Sequence, residues 1–122
     1  MNIEVSVGEV LDKISILEIK RKKIKDSNKL KNINKEFLVL SESFPNFKEQ
    51  EDYNKLLEIN TALWDIEDKL RIKESKKSFD EVFISLARDV YFTNDKRSNI
   101  KKRINLKMGS DLIEEKSYVE YK

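Results

Sequence analysis

The sequence predicts an all-α protein of four main helices in a bundle-like array, with a short extended N-terminal arm and a C-terminal tail. Three observations support this prediction. Apolar residues recur at three- and four-residue spacing through most of the chain, which is the period of an amphipathic helix. Only two glycines and one proline interrupt the 122 residues. Charged residues and apolar residues each make up 39% of the chain, a balance typical of helices with one buried face.

The first helix is predicted to begin after Ser6, which forms a capping box with Glu9. The basic run from Lys20 to Lys25 lies in its last turns, where cations interact favourably with the helix dipole. We interpret this run as a solvated helix end rather than a phosphate site. The residues expected on the buried stripe are Val7, Val10, Leu11, Ile14, Leu17 and Ile24.

The second and third helices are separated by the only proline, Pro45. Asp26 and the two residues after it predict a turn and an N-cap for the second helix. The third helix is predicted from about Glu49 to Glu74, and its apolar arc is wide enough to contact more than one neighbour. The apolar seam expected on the second helix consists of Leu30, Ile33, Phe37, Leu40 and Phe44.

The last helix is predicted within the stretch from Phe79 to Gly109, the longest run without a strong breaker. Ser78 and Glu81 have the spacing of a capping box, and Gly109 is suited to a left-handed helix end. The residues at the two termini also alternate in polarity, as extended segments do. We therefore expect the N-terminal arm, with Ile3 and Val5, to pair with the tail that carries Tyr118, Val119 and Tyr121.

Composition excludes several classes of chemistry. The chain has no histidine and no cysteine, so imidazole bases, disulfides and the usual zinc sites are ruled out. We predict neither a bound metal nor a cofactor. No apolar run is long enough to cross a membrane. The acidic residues Glu4 and Glu9 interrupt the first apolar residues, so we expect no signal peptide. The expectation is a single cytoplasmic domain spanning residues 1–122.

Four motifs carry a resemblance to a known family. They are LDKISILEIK (Leu11 to Lys20), ALWDIEDKLR (Ala62 to Arg71), LARDVYFTNDKR (Leu86 to Arg97) and INLKMGSDLIEEKSY (Ile104 to Tyr118). These motifs resemble those of an uncharacterised bacterial family of short helical proteins, catalogued as a domain of unknown function. The resemblance spans most of the chain and brings no activity with it. It implies that the polar residues inside the motifs belong to the family pattern.

Several polar residues are therefore candidates for a site between helices. Arg97 takes a position on the apolar face of the last helix, so its guanidinium is expected to point inward. A buried cation needs a carboxylate, and Glu67 and Glu18 are the expected partners. Two interpretations stay open: a structural ion-pair layer, or a pocket for an anionic ligand. The candidate residues are Glu18, Asn60, Trp64, Glu67, Arg71, Arg88, Asn94 and Arg97.

The function suggested by these features is open between three classes, and whether the protein is an enzyme stays undecided. The first is an interaction or scaffold protein that forms a homodimer. The second is a binder or enzyme for a small anionic molecule, using the Arg- and Glu-bearing layer. The third is a weak nucleic-acid binder that uses the basic residues from Lys96 to Lys107. The near balance of 25 basic and 23 acidic residues argues against nucleic acid as the main partner.

Overall fold

The computed structural model describes residues 1–121 and confirms the four predicted helices. They are α1 (Val7–Lys23), α2 (Ser27–Ser43), α3 (Glu51–Ser75) and α4 (Glu81–Lys107), with a short 3₁₀ turn at Phe47–Glu49 before α3. No β-strand occurs within the described part of the chain.

The predicted starts of α1 and α2 are confirmed in atomic detail. The Ser6 hydroxyl accepts a hydrogen bond from the Glu9 N–H, and the Asp26 carboxylate accepts one from the Lys29 N–H. Each cap satisfies one of the donors that a helix start leaves without an internal partner. Short polar side chains therefore set both helix starts.

The predicted capping box at the start of α4 is wrong. Asp80, not Ser78, caps the helix by accepting a hydrogen bond from the Phe83 N–H. Ser78 is already used at the end of α3, where its N–H donates to the Lys73 carbonyl over 2.9 Å and the Lys77 N–H donates to the Glu74 carbonyl. This pair of hydrogen bonds is a Schellman motif, and Lys77 occupies its left-handed position with φ of 53°.

Helix α1 packs against all three other helices, and α3 and α4 form a long antiparallel hairpin. Gly8, near the start of α1, contacts Asn105 near the end of α4, whereas Asp12 faces Arg97 two turns earlier in α4. Helices α1 and α4 therefore run antiparallel. The seven buried residues of the main apolar cluster are Leu11, Ile14, Phe47, Tyr53, Leu56, Ile100 and Ile104.

The core covers only one end of the hairpin. Leu63 is the last buried residue of α3 and Ile100 the first of α4, and every residue from Trp64 to Asn99 is at least partly exposed. We call this stretch, Trp64 to Asn99, the distal hairpin. Its apolar residues that are largely exposed are Ile72, Phe79, Val82, Ile84 and Tyr91.

Pairing of the terminal arm with the tail is not confirmed. The tail lies along α4 instead, where the Tyr121 ring packs edge-on against Tyr91 and also contacts Phe92. The Tyr121 hydroxyl donates a hydrogen bond to Asp95. Ile3 is 74% exposed, so the arm has no comparable contact. Aromatic residues on α4 offer the tail a larger apolar surface than a short arm does.

Candidate functional site

A buried polar layer lies between α1, α3 and α4. The Asn60 amide of α3 donates hydrogen bonds of 2.8 Å to the Asp12 carboxylate and of 2.8 Å to the Ser15 hydroxyl. The Ser15 hydroxyl donates to the Asp12 backbone carbonyl over 2.7 Å. All three side chains are buried, so each hydrogen bond also prevents the cost of an unpaired polar group.

Arg97 lies at the edge of this layer, pointing inward as predicted, but its carboxylate partner differs. Its Nη1 atom is 3.4 Å from the Asn60 side-chain oxygen and 4.0 Å from the nearer Asp12 oxygen. Glu67 and Glu18 do not pair with it, because Glu67 lies on the exposed side of α3 and Glu18 faces Lys48. The Arg97 side chain remains 29% exposed, and its pairing with Asp12 over 4.0 Å is loose.

Lys101 is the buried cation of the site. Its ammonium donates to Glu9 over 2.8 Å and lies 3.7 Å from Asp12 and 3.6 Å from Glu114. Burial alone would lower the pKa of Lys101, but the hydrogen bond to Glu9 and the neighbouring carboxylates outweigh burial and raise it. The same hydrogen bond lowers the pKa of Glu9. Lys101 therefore stays protonated and cannot act as an amine nucleophile at neutral pH.

The start of α1 is anchored by residues from the end of α4. The Gly8 N–H donates to the Asn105 side-chain oxygen over 2.7 Å, and the Val7 N–H donates to the Ser110 hydroxyl over 3.2 Å. Asn105 is 1% exposed. These contacts satisfy two further donors of the α1 start and hold α1 in place beside the polar layer.

A cleft of about 460 Å³ opens beside the layer, between α1, α3 and α4. Ile16, Ile19 and Leu63 form its apolar wall. Six of the eight candidate residues predicted from sequence line it, and they are Asn60, Trp64, Glu67, Arg71, Asn94 and Arg97. The structure therefore brings together most of the residues that the sequence only placed on separate helices.

Glu18 and Arg88 lie outside the cleft. The Glu18 carboxylate is 3.9 Å from the Lys48 ammonium and lies near the buried Tyr53. Burial, together with the charge of Glu18, raises the pKa of the Tyr53 hydroxyl. Arg88 places its guanidinium 5.5 Å from the centroid of the Phe92 ring, one turn along α4. Both residues have local structural partners instead of a place in the site.

Sequence analysis missed Asp12, Ser15 and Lys101. A pattern that could have found the first two was present, because Gly8, Asp12, Ser15 and Ile19 recur at helical spacing on one side of α1. A small residue followed by polar residues along one face is typical of a close helix contact that buries a hydrogen-bonded layer. Lys101 was considered only as a member of the basic cluster from Lys96 to Lys107, the candidate surface for nucleic acid.

Much of that basic cluster is paired within the chain. Arg103 makes a two-point contact with the buried Asp52 carboxylate, the shorter distance being 2.6 Å, and this hydrogen bond lowers the pKa of Asp52. Lys102 bonds Glu115 over 2.8 Å, and Lys101 is buried. The face from Lys96 to Lys107 thus presents less free positive charge than its sequence suggests.

Within residues 1–121, no three acidic residues lie close enough together to hold a metal ion. None of the helices in the same range has the length and apolarity needed to cross a membrane.

Comparison with known proteins identifies the family. A family model described as "Family of unknown function (DUF6165)" matches residues 1–121. The chain belongs to this family. The match confirms the resemblance to a family of unknown function and carries no biochemical activity. No curated protein and no solved structure matches the chain.

Proposed function

We propose that this protein is an interaction or scaffold protein that forms a homodimer through its distal hairpin. The observation that carries the proposal is the absence of any buried residue from Trp64 to Asn99 in a stretch rich in large apolar side chains. Two helices with wide apolar faces cover each other only in part, whereas four helices can enclose an apolar core. A second hairpin would supply the two missing helices.

The charge of the distal hairpin favours a second copy as the occupant. The stretch from Trp64 to Asn99 contains eight acidic and eight basic residues, so its net charge is zero. A strongly acidic or basic partner would gain nothing from such a surface, whereas an identical copy can place each sign against its opposite. A two-fold axis lets the same patch serve both partners.

Because apolar residues of the distal hairpin are exposed, substituting them can disrupt the proposed dimer contact without unfolding the monomer. Phe79 is 54% exposed and Val82 is 55% exposed, so lysine at both positions leaves the core untouched. The doubly substituted variant, Phe79→Lys with Val82→Lys, is expected to have a monomer mass by light scattering at tens of micromolar. The unchanged protein is expected to have the mass of a dimer.

Helix α2 supplies a matched control for this experiment. Leu38 is 58% exposed and Val39 is 60% exposed, and both lie outside the distal hairpin. Replacing both with lysine adds the same charge to an equally exposed apolar pair, and the dimer mass should be retained. A monomer mass for the unchanged protein would contradict the proposal, as would dissociation caused by the α2 variant but not by the hairpin variant.

Nucleic acid is the less favoured candidate. Three of its best basic contacts, Lys101, Lys102 and Arg103, are engaged with carboxylates of the same chain. Each phosphate contact would then first have to displace an internal ion pair. This internal pairing argues against nucleic acid as the partner.

A further inference from the structure

The cleft between α1, α3 and α4 combines an apolar wall with polar and charged side chains. Ile19 and Leu63 are buried in its wall, and Trp64 is half-buried beside them. Helix α4 adds two polar side chains to the lining, the amide of Asn94 and the guanidinium of Arg97. Small-molecule sites typically combine an apolar wall with a few such polar groups.

Neither arginine of the cleft has a strong carboxylate partner. The guanidinium of Arg97 comes no closer than 4.0 Å to Asp12, which is already hydrogen-bonded by Asn60. For Arg71, no carboxylate oxygen of residues 1–121 lies within 4.0 Å, although Glu67 precedes it by one turn. By contrast, the Arg103 guanidinium donates hydrogen bonds to both oxygens of the Asp52 carboxylate. The two cleft arginines therefore keep hydrogen-bond donors free for a ligand.

The carboxylates around the cleft disfavour a ligand with more than one negative charge. Glu67 and Asp68 stand on the exposed α3 side of the opening and balance the two arginines. A doubly charged phosphate or a polyphosphate would be repelled by these carboxylates. A monocarboxylate can pair with the fork of Arg97 while its apolar part rests on Trp64 and the isoleucines.

We infer that this cleft binds a small organic monocarboxylate, with Arg97 and Arg71 holding the carboxylate and Trp64 contacting the apolar part. The inference goes beyond the proposed homodimer, although the cleft shares with it the end of the distal hairpin nearest the core. The cleft is built from residues of one chain, and the hairpin variant used to test the dimer changes none of them.

Trp64 is the only tryptophan of the chain, so its fluorescence reports directly on the cleft. The probes are phenylacetate and hexanoate, with phenethylamine and hexylamine as matched cations and phenyl phosphate as a dianion. Saturable changes in Trp64 fluorescence are expected with the two carboxylates at millimolar concentration or below. The amines should cause none, and phenyl phosphate should bind more weakly than phenylacetate.

Variants locate the binding within the cleft. Arg97→Gln should weaken phenylacetate binding by about tenfold or more, the usual effect of losing a charge-assisted hydrogen bond. Arg71→Gln should weaken it less, and because Arg71 is exposed this variant keeps its fold. The matched control is Arg88→Gln, on the same helix as Arg97 but outside the cleft, and it should bind as the unchanged protein does.

Three results would overturn the inference. They are the absence of a saturable change with both carboxylates, equal or tighter binding of the amines or of phenyl phosphate, and equal weakening by Arg88→Gln and Arg71→Gln. Repeating the titration with the Phe79→Lys, Val82→Lys variant separates this test from that of the dimer. Loss of dimer mass with unchanged phenylacetate binding would leave the cleft assignment intact.

Discussion

Gly8 sets the distance between α1 and α4. A Cβ atom added at this position would lie 2.7 Å from the Lys101 carbonyl oxygen and 3.0 Å from the Asn105 side-chain oxygen. The first of these atoms belongs to the backbone of α4 and cannot rotate away. The hydrogen bond from the Gly8 N–H to Asn105 therefore exists only because residue 8 has no side chain.

Gly8→Ala is expected to lower the free energy of unfolding by about 1–3 kcal/mol, because α4 must shift away from α1. An ordinary helical glycine shows the opposite sign, with a gain of up to about 1 kcal/mol on conversion to alanine. Urea denaturation measures the difference. Increased stability in the alanine variant would show that the two helices are not in close contact.

Arg97 illustrates what sequence reasoning can and cannot supply for one residue. The helical spacing of α4 correctly places its guanidinium toward the other helices. The identity of its neighbours depends on how α1 crosses α3, and no pattern in one helix encodes that angle. Asp12, one turn after Gly8, approaches Arg97 because the glycine permits a close crossing.

At the scale of helices, the turn between α3 and α4 contains the one strained backbone position outside glycine that the described residues show. Lys77 adopts φ of 53°, a left-handed conformation that costs a residue with a Cβ atom about 1 kcal/mol or more. Its ammonium lies 3.1 Å from Glu74, but both side chains are largely exposed, so this ion pair adds little. Gly109, at the corresponding position after α4, has φ of 64° without such strain.

Lys77→Gly should therefore raise the free energy of unfolding by about 0.5–1 kcal/mol, since glycine adopts the left-handed conformation without strain. Lys76→Gly is the matched control. Lys76 has φ of −91° in the right-handed helical region, so glycine there should lower stability. If both substitutions lower the urea midpoint, the left-handed conformation of Lys77 is incorrect.

Helix boundaries were predictable where a single polar side chain decides them, and less so where two helices share a turn. Ser6 and Asp26 compete with no other motif and cap their helices as expected. Ser78 had the correct spacing from Glu81, yet the end of α3 recruits its N–H first. The spacing of residues alone does not show whether a residue between two helices ends the first helix or caps the second.

Across the whole molecule, carboxylates held by cations make folding sensitive to acid. The hydrogen bond from Arg103 holds the pKa of Asp52 below its ordinary value of 3.8, and that from Lys101 holds the pKa of Glu9 below 4.5. The hydrogen bond from Lys73 and the Phe83 N–H lower the pKa of Asp80 to about 2. In each case the unfolded chain takes up the proton at a higher pH than the folded chain does.

Stability is accordingly expected to be fully present above about pH 5 and to fall as the pH drops through 4 toward 2, because the unfolded state then binds more protons. Asp52→Asn should flatten this acid dependence. Asp111→Asn, a change at an exposed aspartate with no ion pair in residues 1–121, should leave it unchanged. Urea midpoints measured at several pH values test both expectations. An equal change of midpoint with pH in the two variants would contradict them.

The amphipathic pattern predicted the number, order and approximate ends of the helices, because burial of apolar faces dominates folding. It did not predict that the core would occupy only one end of the α3–α4 hairpin. That asymmetry follows from length, since α1 and α2 have 17 residues each whereas α3 has 25 and α4 has 27. The convergence of six candidates on one cleft was likewise invisible, because it depends on helix crossing.

The anchoring of the first helix by the last has a consequence for synthesis on the ribosome. Leu11 and Ile14 share the apolar cluster with Ile100 and Ile104, and the start of α1 donates its hydrogen bonds to Asn105 and Ser110. In a nascent chain, the part of the apolar face of α1 that packs on α4 therefore stays uncovered until α4 has emerged from the exit tunnel. Chaperones that bind apolar segments of nascent chains would meet α1 in this partly uncovered state.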